Sequence, residues 1–157
     1  MEQLTYEPLD DMHAIRLFTI WGDPEVIRYT NVRFMCTLGE AEARVRMLKQ
    51  FDVFVVKKDQ QVIGIVGCPS IDREKNEYGL FYQFSKEYWG QGIATAAAGW
   101  MIDYMKKTYG EVTLFADVLE KNRASEKILR HLGFQKVTED KNNKQQDEGL
   151  HCYRLTK

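Results

Sequence analysis

Cysteine and proline are scarce in this chain, with three of each in 157 residues. The scattered thiols Cys36, Cys68 and Cys152 make neither a disulfide framework nor a metal-ligand spacing, which excludes stapled mini-scaffolds and zinc modules. Charge bias is absent too. Lysine and arginine number 22 against 23 acidic residues, for a net charge of −1, so no global field draws the chain to nucleic acid or an anionic membrane. No run approaches the roughly 18 apolar residues that a bilayer crossing needs. Met1-Glu2-Gln3-Leu4 is acidic and poor in apolar residues, unlike a signal peptide. Internal repeats and dividing linkers are missing. These absences predict one domain, 1–157, in a reduced cytoplasmic setting, with no metal, no nucleic-acid partner and no membrane partner.

What is present is ordinary globular material, 44% apolar and 29% charged, with enough chain for a sizeable core. Leu4 to Pro8 predicts a strand. Asp10 or Asp11 caps a helix to about Ile20, with Met12, Ile15 and Phe18 partly on one side. Trp21-Gly22-Asp23-Pro24 breaks it before a short helical turn over Glu25 to Tyr29. Thr37-Leu38-Gly39-Glu40 has capping-box spacing, and Leu38, Ala41, Val45 and Leu48 continue at helical intervals to a helix end near Gln50. Strands follow over Phe51 to Lys58, Gln61 to Cys68 and Glu77 to Phe84. Asp59-Gln60 is the first turn, and polar Asp72 to Asn76 the loop before the third strand.

A long helix then carries Ile93, Ala96, Ala97, Trp100, Met101, Tyr104 and Met105 as one stripe, and Tyr109-Gly110 ends it. Val112 to Val118 is a strand. Ala124 to Leu132 is a helix with Ile128, Leu129 and Leu132 inward and Gly133 just past its end. Phe134 to Glu139 and His151 to Leu155 are closing strands around a polar loop, Asp140 to Gly149. An antiparallel meander followed by helix, strand and helix is a mixed α+β order, not a doubly wound sheet.

At the junction of strand and long helix stands Tyr88-Trp89-Gly90-Gln91-Gly92-Ile93-Ala94-Thr95. The unpaired N–H groups of a helix start, behind glycines that bring the backbone close, form an anion cradle. By itself Gly-x-Gly is equally a bare turn. A dinucleotide loop would need a third glycine where Thr95 stands, and a Walker loop would need Gly-Lys-Ser/Thr. A second motif follows in Asn122-Arg123-Ala124-Ser125, between strand and helix. Its asparagine amide serves as a helix cap or as a ligand contact.

With both motifs in this order, the chain resembles the GNAT acetyltransferase superfamily from about Glu77 to Phe134. Within it, Tyr88 to Thr95 together with Asn122-x-x-Ser125 is similar to the branch of ribosomal-protein N-terminal acetyltransferases. Trp21 to Val26 and Thr37-x-x-Glu40-Ala41 share that likeness. The resemblance implies a GNAT-like fold, in which a central, mostly antiparallel twisted sheet of about six or seven strands is flanked by about four helices. It implies acetyl-CoA as co-substrate, with Gly90, Gln91, Gly92, Ile93, Ala94 and Thr95 on its pyrophosphate. Gln83 and Phe84 would lie along the pantetheine, and Asn122 and Ser125 beside it. Trp89 stands where arginine or glutamine is commonest, which shifts phosphate binding to backbone N–H groups.

The implied reaction is direct transfer of acetyl to a primary amine. The acceptor is a protein N-terminus or a small molecule such as a polyamine or aminoglycoside, and the protein a monomer or homodimer. The resemblance places the oxyanion donor at the backbone near Phe84. It makes Ser125 the candidate proton donor to the thiolate, because the tyrosine often found four residues later is here Leu129. Glu77 is the candidate base, acting through water. Alternation leaves either Tyr78, Leu80 and Tyr82 or Glu77, Gly79 and Phe81 facing the substrate cleft, and a bulge would exchange them. The missing tyrosine keeps a second reading open, a non-catalytic acyl-CoA-binding or regulatory module.

Overall fold

The computed structural model describes residues 3–28, 36–137 and 149–157. In chain order these form β1 (Leu4–Pro8), α1 (Ala14–Trp21), α2 (Pro24–Ile27), α3 (Leu38–Leu48), β2 (Asp52–Lys58), β3 (Gln61–Cys68), β4 (Ser70–Asp72), β5 (Glu77–Gly79), β6 (Phe81–Phe84), α4 (Ile93–Tyr109), β7 (Thr113–Leu119), α5 (Arg123–His131), β8 (Gln135–Lys136) and β9 (Leu150–Thr156). The α+β class holds, but the strands divide into two sheets, ordered β1-β2-β3-β6 and β4-β5-β7-β9-β8. All pairings are antiparallel except that of β5 with β7. Helices number five rather than four among the described residues, the short α2 making the difference.

Local chemistry explains most boundaries. Asp59 and Gln60 have φ of 51° and 65°, so the β2–β3 hairpin is a two-residue turn with both residues left-handed, achieved without glycine. Thr37 and Glu40 cap each other at the start of α3 as the spacing predicts. Along β2, Val53 and Val55 face α1 and α3 while Phe54 and Val56 face α4. That sheet is therefore covered on both faces, and its strands read as continuous apolar runs.

Several expectations are corrected. On α1 the inward residues are Ala14, Leu17, Ile20 and Trp21, whereas Met12 and Ile15 are 72% and 70% exposed. The reason is a 3₁₀ turn over Asp11–His13, whose tighter winding shifts the phase of the stripe. It also buries His13, whose Nδ1 accepts from the Asp10 N–H (3.0 Å) and whose Nε2 lies 3.4 Å from Glu7. Asp72, expected in a loop, ends β4 and pairs with Glu77. Glu77 to Phe84, expected as one strand, is two strands in different sheets. The segments around Tyr29, Thr138 to Glu139 and most of the loop from Asp140 lie outside the described residues.

The outer edge of the core holds a ring cluster. Tyr6 stacks on Trp100 (3.9 Å between centroids), with Phe54 edge-on at 5.0 Å. Burial pushes the Tyr6 hydroxyl up to about 12. Tyr109 rises to about 12 as well, chiefly because its hydroxyl donates to the Asp52 carboxylate at 2.6 Å. A phenol in the unfolded chain titrates near about 10. Between these values the unfolded state has released protons that the fold retains, so stability is complete below pH about 10 and falls as pH rises toward 12. Urea midpoints across this range should decline, and Tyr6→Phe should flatten the decline. A pH-independent midpoint would contradict it.

Candidate active site

The site begins where one strand changes sheets. The Leu80 N–H donates to the Phe115 carbonyl (2.8 Å), prolonging the β5–β7 pairing by one residue. Beyond it the chain pairs with β3 alone, through Phe81–Gly67 to Phe84–Gly64. A cleft therefore opens between β6 and β7. The Ser85 N–H donates to the Ile63 carbonyl (2.9 Å), so by alternation Gln83 and Phe81 turn their backbone groups to β3. Tyr82 and Phe84 turn theirs to the open side. This is a strand edge ready to pair with an extended, amide-bearing chain.

That geometry sorts the expected residues. Phe84 lies on the cleft edge, but its carbonyl already accepts from the Trp89 indole N–H (2.9 Å). The edge thus offers the N–H groups of Tyr82 and Phe84 and the Tyr82 carbonyl. Trp89 straps the glycine loop to the strand end. Gln83 is placed elsewhere, its backbone toward β3 and its Oε1 accepting from Trp21 Nε1 (2.6 Å) on α1. Adjacent strand residues face opposite sides, which is why Gln83 and Phe84 do not share a role.

At the cleft mouth Gly90 and Gly92 have φ of +74° and +78°. Gly92 is the N-cap of α4 and supplies no side-chain cap, so the N–H groups of Ile93, Ala94 and Thr95 stay available to an anion. A Cβ at either glycine would meet nothing within 4 Å. Their requirement is left-handed backbone, not lack of space. Gln91 is exposed, and its side-chain amide donates to the Glu87 carbonyl (3.1 Å). This open, donor-rich helix start fits a pyrophosphate.

On the opposite wall Asn122 caps α5, its Oδ1 accepting from the Ser125 N–H (3.2 Å). Ser125 Oγ is 2.6 Å from the Tyr82 hydroxyl, a hydrogen bond that joins α5 to β6 across the cleft. Burial raises the Tyr82 hydroxyl above its ordinary range, against a smaller lowering by Ser125. Leu129 is 0% exposed, so the position four residues after Ser125 belongs to the core. Glu77 is not brought to this place. It pairs with Thr113 at the start of β7, whereas Ser125 follows the end of β7 at Leu119. At ~3.3 Å per residue, the six steps from Thr113 to Leu119 span roughly 20 Å along β7.

Sequence reasoning left Tyr82 as one of two alternating sets. The break at Leu80 decides the set, and nothing in the residue types announces that break. Successive β9 residues His151 and Cys152 pair with Val118 and Asp117 and face opposite sides, as expected.

A split sheet whose diverging strands frame a cleft, with an uncapped helix start at its mouth, is a scaffold suited to an extended, phosphate-bearing ligand. Residues 3–135 match the model of the acetyltransferase (GNAT) domain, and the chain belongs to that family. It is an acetyl-CoA-dependent acetyltransferase. Over 143 residues it is 29% identical to the uncharacterized N-acetyltransferase p20 of Bacillus licheniformis, covering 86% of this chain and 80% of that one. Its fold superposes on RimL, a ribosomal alpha-N-protein acetyltransferase in complex with coenzyme A, with a TM-score of 0.81 at 12% identity over 99% and 94% of the chains. It also superposes on spermidine N-acetyltransferase from Vibrio cholerae, in complex with coenzyme A and spermine, at 0.81 and 16% over 99% and 95%. No helix among the described residues is long and apolar enough to cross a membrane.

Proposed function

We propose that this chain transfers the acetyl group of acetyl-CoA directly to a primary amine, on a protein N-terminus or a small molecule, and that it belongs with the ribosomal-protein N-terminal branch. The carrying observation is the cleft beyond Leu80, which has free strand-edge groups on one wall, Ser125 on the other and the glycine cradle at its mouth. Acetyl-CoA supplies an activated thioester. The N–H groups from Gly92 to Thr95 hold its diphosphate, and Tyr82 and Phe84 backbone groups align the pantetheine amides. A backbone N–H of the same strand edge, near Phe84, donates to the acetyl oxygen, where negative charge gathers as the amine adds. Asn122 keeps the start of α5, and so Ser125, in register. The protein works in the cytoplasm as a monomer or homodimer. An amine acceptor agrees with the two structural neighbours, whose names specify an alpha-amino group and spermidine.

Release of free thiol should be measured with acetyl-CoA against a panel of N-terminal peptides, spermidine and an aminoglycoside. At least one amine should be acetylated with saturation in both substrates. Tight acetyl-CoA binding without turnover of any amine would make the protein a binding module instead. Thermal protection by ATP or NAD but not by acetyl-CoA would reassign the glycine loop.

A further inference from the structure

We propose that Tyr82 is the acid that protonates the departing thiolate, with Ser125 as the residue that positions its hydroxyl. This rests on the N-acetyltransferase reading above and assigns the proton within it. Three observations carry it. The Tyr82 hydroxyl spans the cleft to Ser125 at 2.6 Å, so a side chain of one wall is pinned to the other at the level of the strand edge. Leu129, four residues on from Ser125, is sealed in the core and carries no proton to give. Glu77 pairs with Thr113, at the end of β7 away from the Leu119 end that leads into α5.

Chemistry separates the two hydroxyls. A phenol, near about 10 when free and raised here by burial, is still far closer in acidity to a thiol at about 8.5 than an aliphatic hydroxyl is, and proton transfer works best between groups of similar strength. An aliphatic hydroxyl is a far weaker acid. Serine alone would be a poor donor, yet it is well suited to orient a donor. Burial raises the Tyr82 hydroxyl, which keeps it neutral and loaded with its proton.

The step balances without another reactant. The amine lone pair forms the C–N bond, and the C–S bond breaks with its electron pair passing to sulfur. Sulfur takes the Tyr82 proton, and the proton shed by the acylated nitrogen returns through solvent to the phenolate. Tyr82 ends the cycle as it began. The strand edge thus supplies from β6 the tyrosine that α5 lacks.

Tyr82→Phe keeps the ring and should fold with an unchanged melting temperature. Its kcat should fall about a hundredfold, while acetyl-CoA affinity by calorimetry stays within about twofold, since binding needs no proton. Wild-type kcat should decline at alkaline pH as the phenol ionises, and the variant should lack that limb. Ser125→Ala should lower kcat less and keep the limb, because it removes the orienting partner and not the acid. Full kcat in Tyr82→Phe overturns the proposal. So does a loss confined to acetyl-CoA affinity, which would make Tyr82 a wall of the cleft. If wild type binds acetyl-CoA but acetylates no amine, the underlying reading fails first and the assignment falls with it.

Discussion

Gly92→Asp should weaken acetyl-CoA binding by roughly a thousandfold. A carboxylate there would project from the N-cap of α4 toward the N–H groups that receive the pyrophosphate. Two like charges ~4 Å apart at an effective dielectric near 20 repel by about 4 kcal/mol, which is about three decades of affinity. Bulk meets no protein atom, since a Cβ at Gly92 has none within 4 Å. Gly92→Ala is therefore the informative companion. It carries only the left-handed backbone penalty of about 1–2 kcal/mol, at φ +78°. Calorimetric titration with acetyl-CoA should rank wild type, alanine and aspartate in that order, with a wide gap before the last. Equal losses for both variants would make the loop a bare turn and remove the pyrophosphate from it.

Gly64→Ala should be the most destabilising of the glycine-to-alanine changes, since its Cβ meets the tightest contacts of any glycine here. Gly64 sits on β3 opposite Phe84, and its new Cβ would overlap the Phe84 ring and the Gln83 carbonyl. The ring can rotate, but the carbonyl is strand backbone. Overpacking of this kind costs about 1–3 kcal/mol, and backbone resistance places it at the upper end. For a chain this size each kcal/mol lowers Tm by about 2–4 °C, so a fall of roughly 6–12 °C is expected in a thermal melt. Gly99→Ala is the control. It lies inside α4, where its Cβ would make ordinary contact with Leu132 at 3.8 Å. Removing a glycine from a helix interior there should leave Tm unchanged or raise it. A Gly64→Ala protein as stable as wild type would mean that β6 can withdraw from β3, and the cleft wall would not be rigid.

Most elements are legible in the sequence because their signals are local. Thr37 and Glu40 cap α3, Gly92 and Gly110 bracket α4, and Asn122 caps α5, each by a bond or a turn between residues close in the chain. The glycine loop and Asn122-x-x-Ser125 are readable as a pair for the same reason. What stays hidden is long-range. The transfer from β5 to β6 depends on which partner each half finds, Thr113 to Phe115 for one and Gly64 to Gly67 for the other. That choice decides the faces of Tyr82 and Gln83, so it also separates the cofactor wall from the side tied to Trp21. The phase of α1 escapes a sequence reading because a 3₁₀ turn has no distinct residue signature. Glu77 looks suitable by strand order alone, and only register shows that it pairs at the end of β7 away from α5.

The bond from Leu80 to Phe115 has an evolutionary corollary. Every assignment on the following strand counts from that point in steps of two. Side chains there can drift in identity while the counting survives. Adding or deleting one residue between Gly79 and Phe84 would turn Gln83 and Tyr82 to each other's side together. The segment should therefore accept substitutions of type far more readily than any change of length.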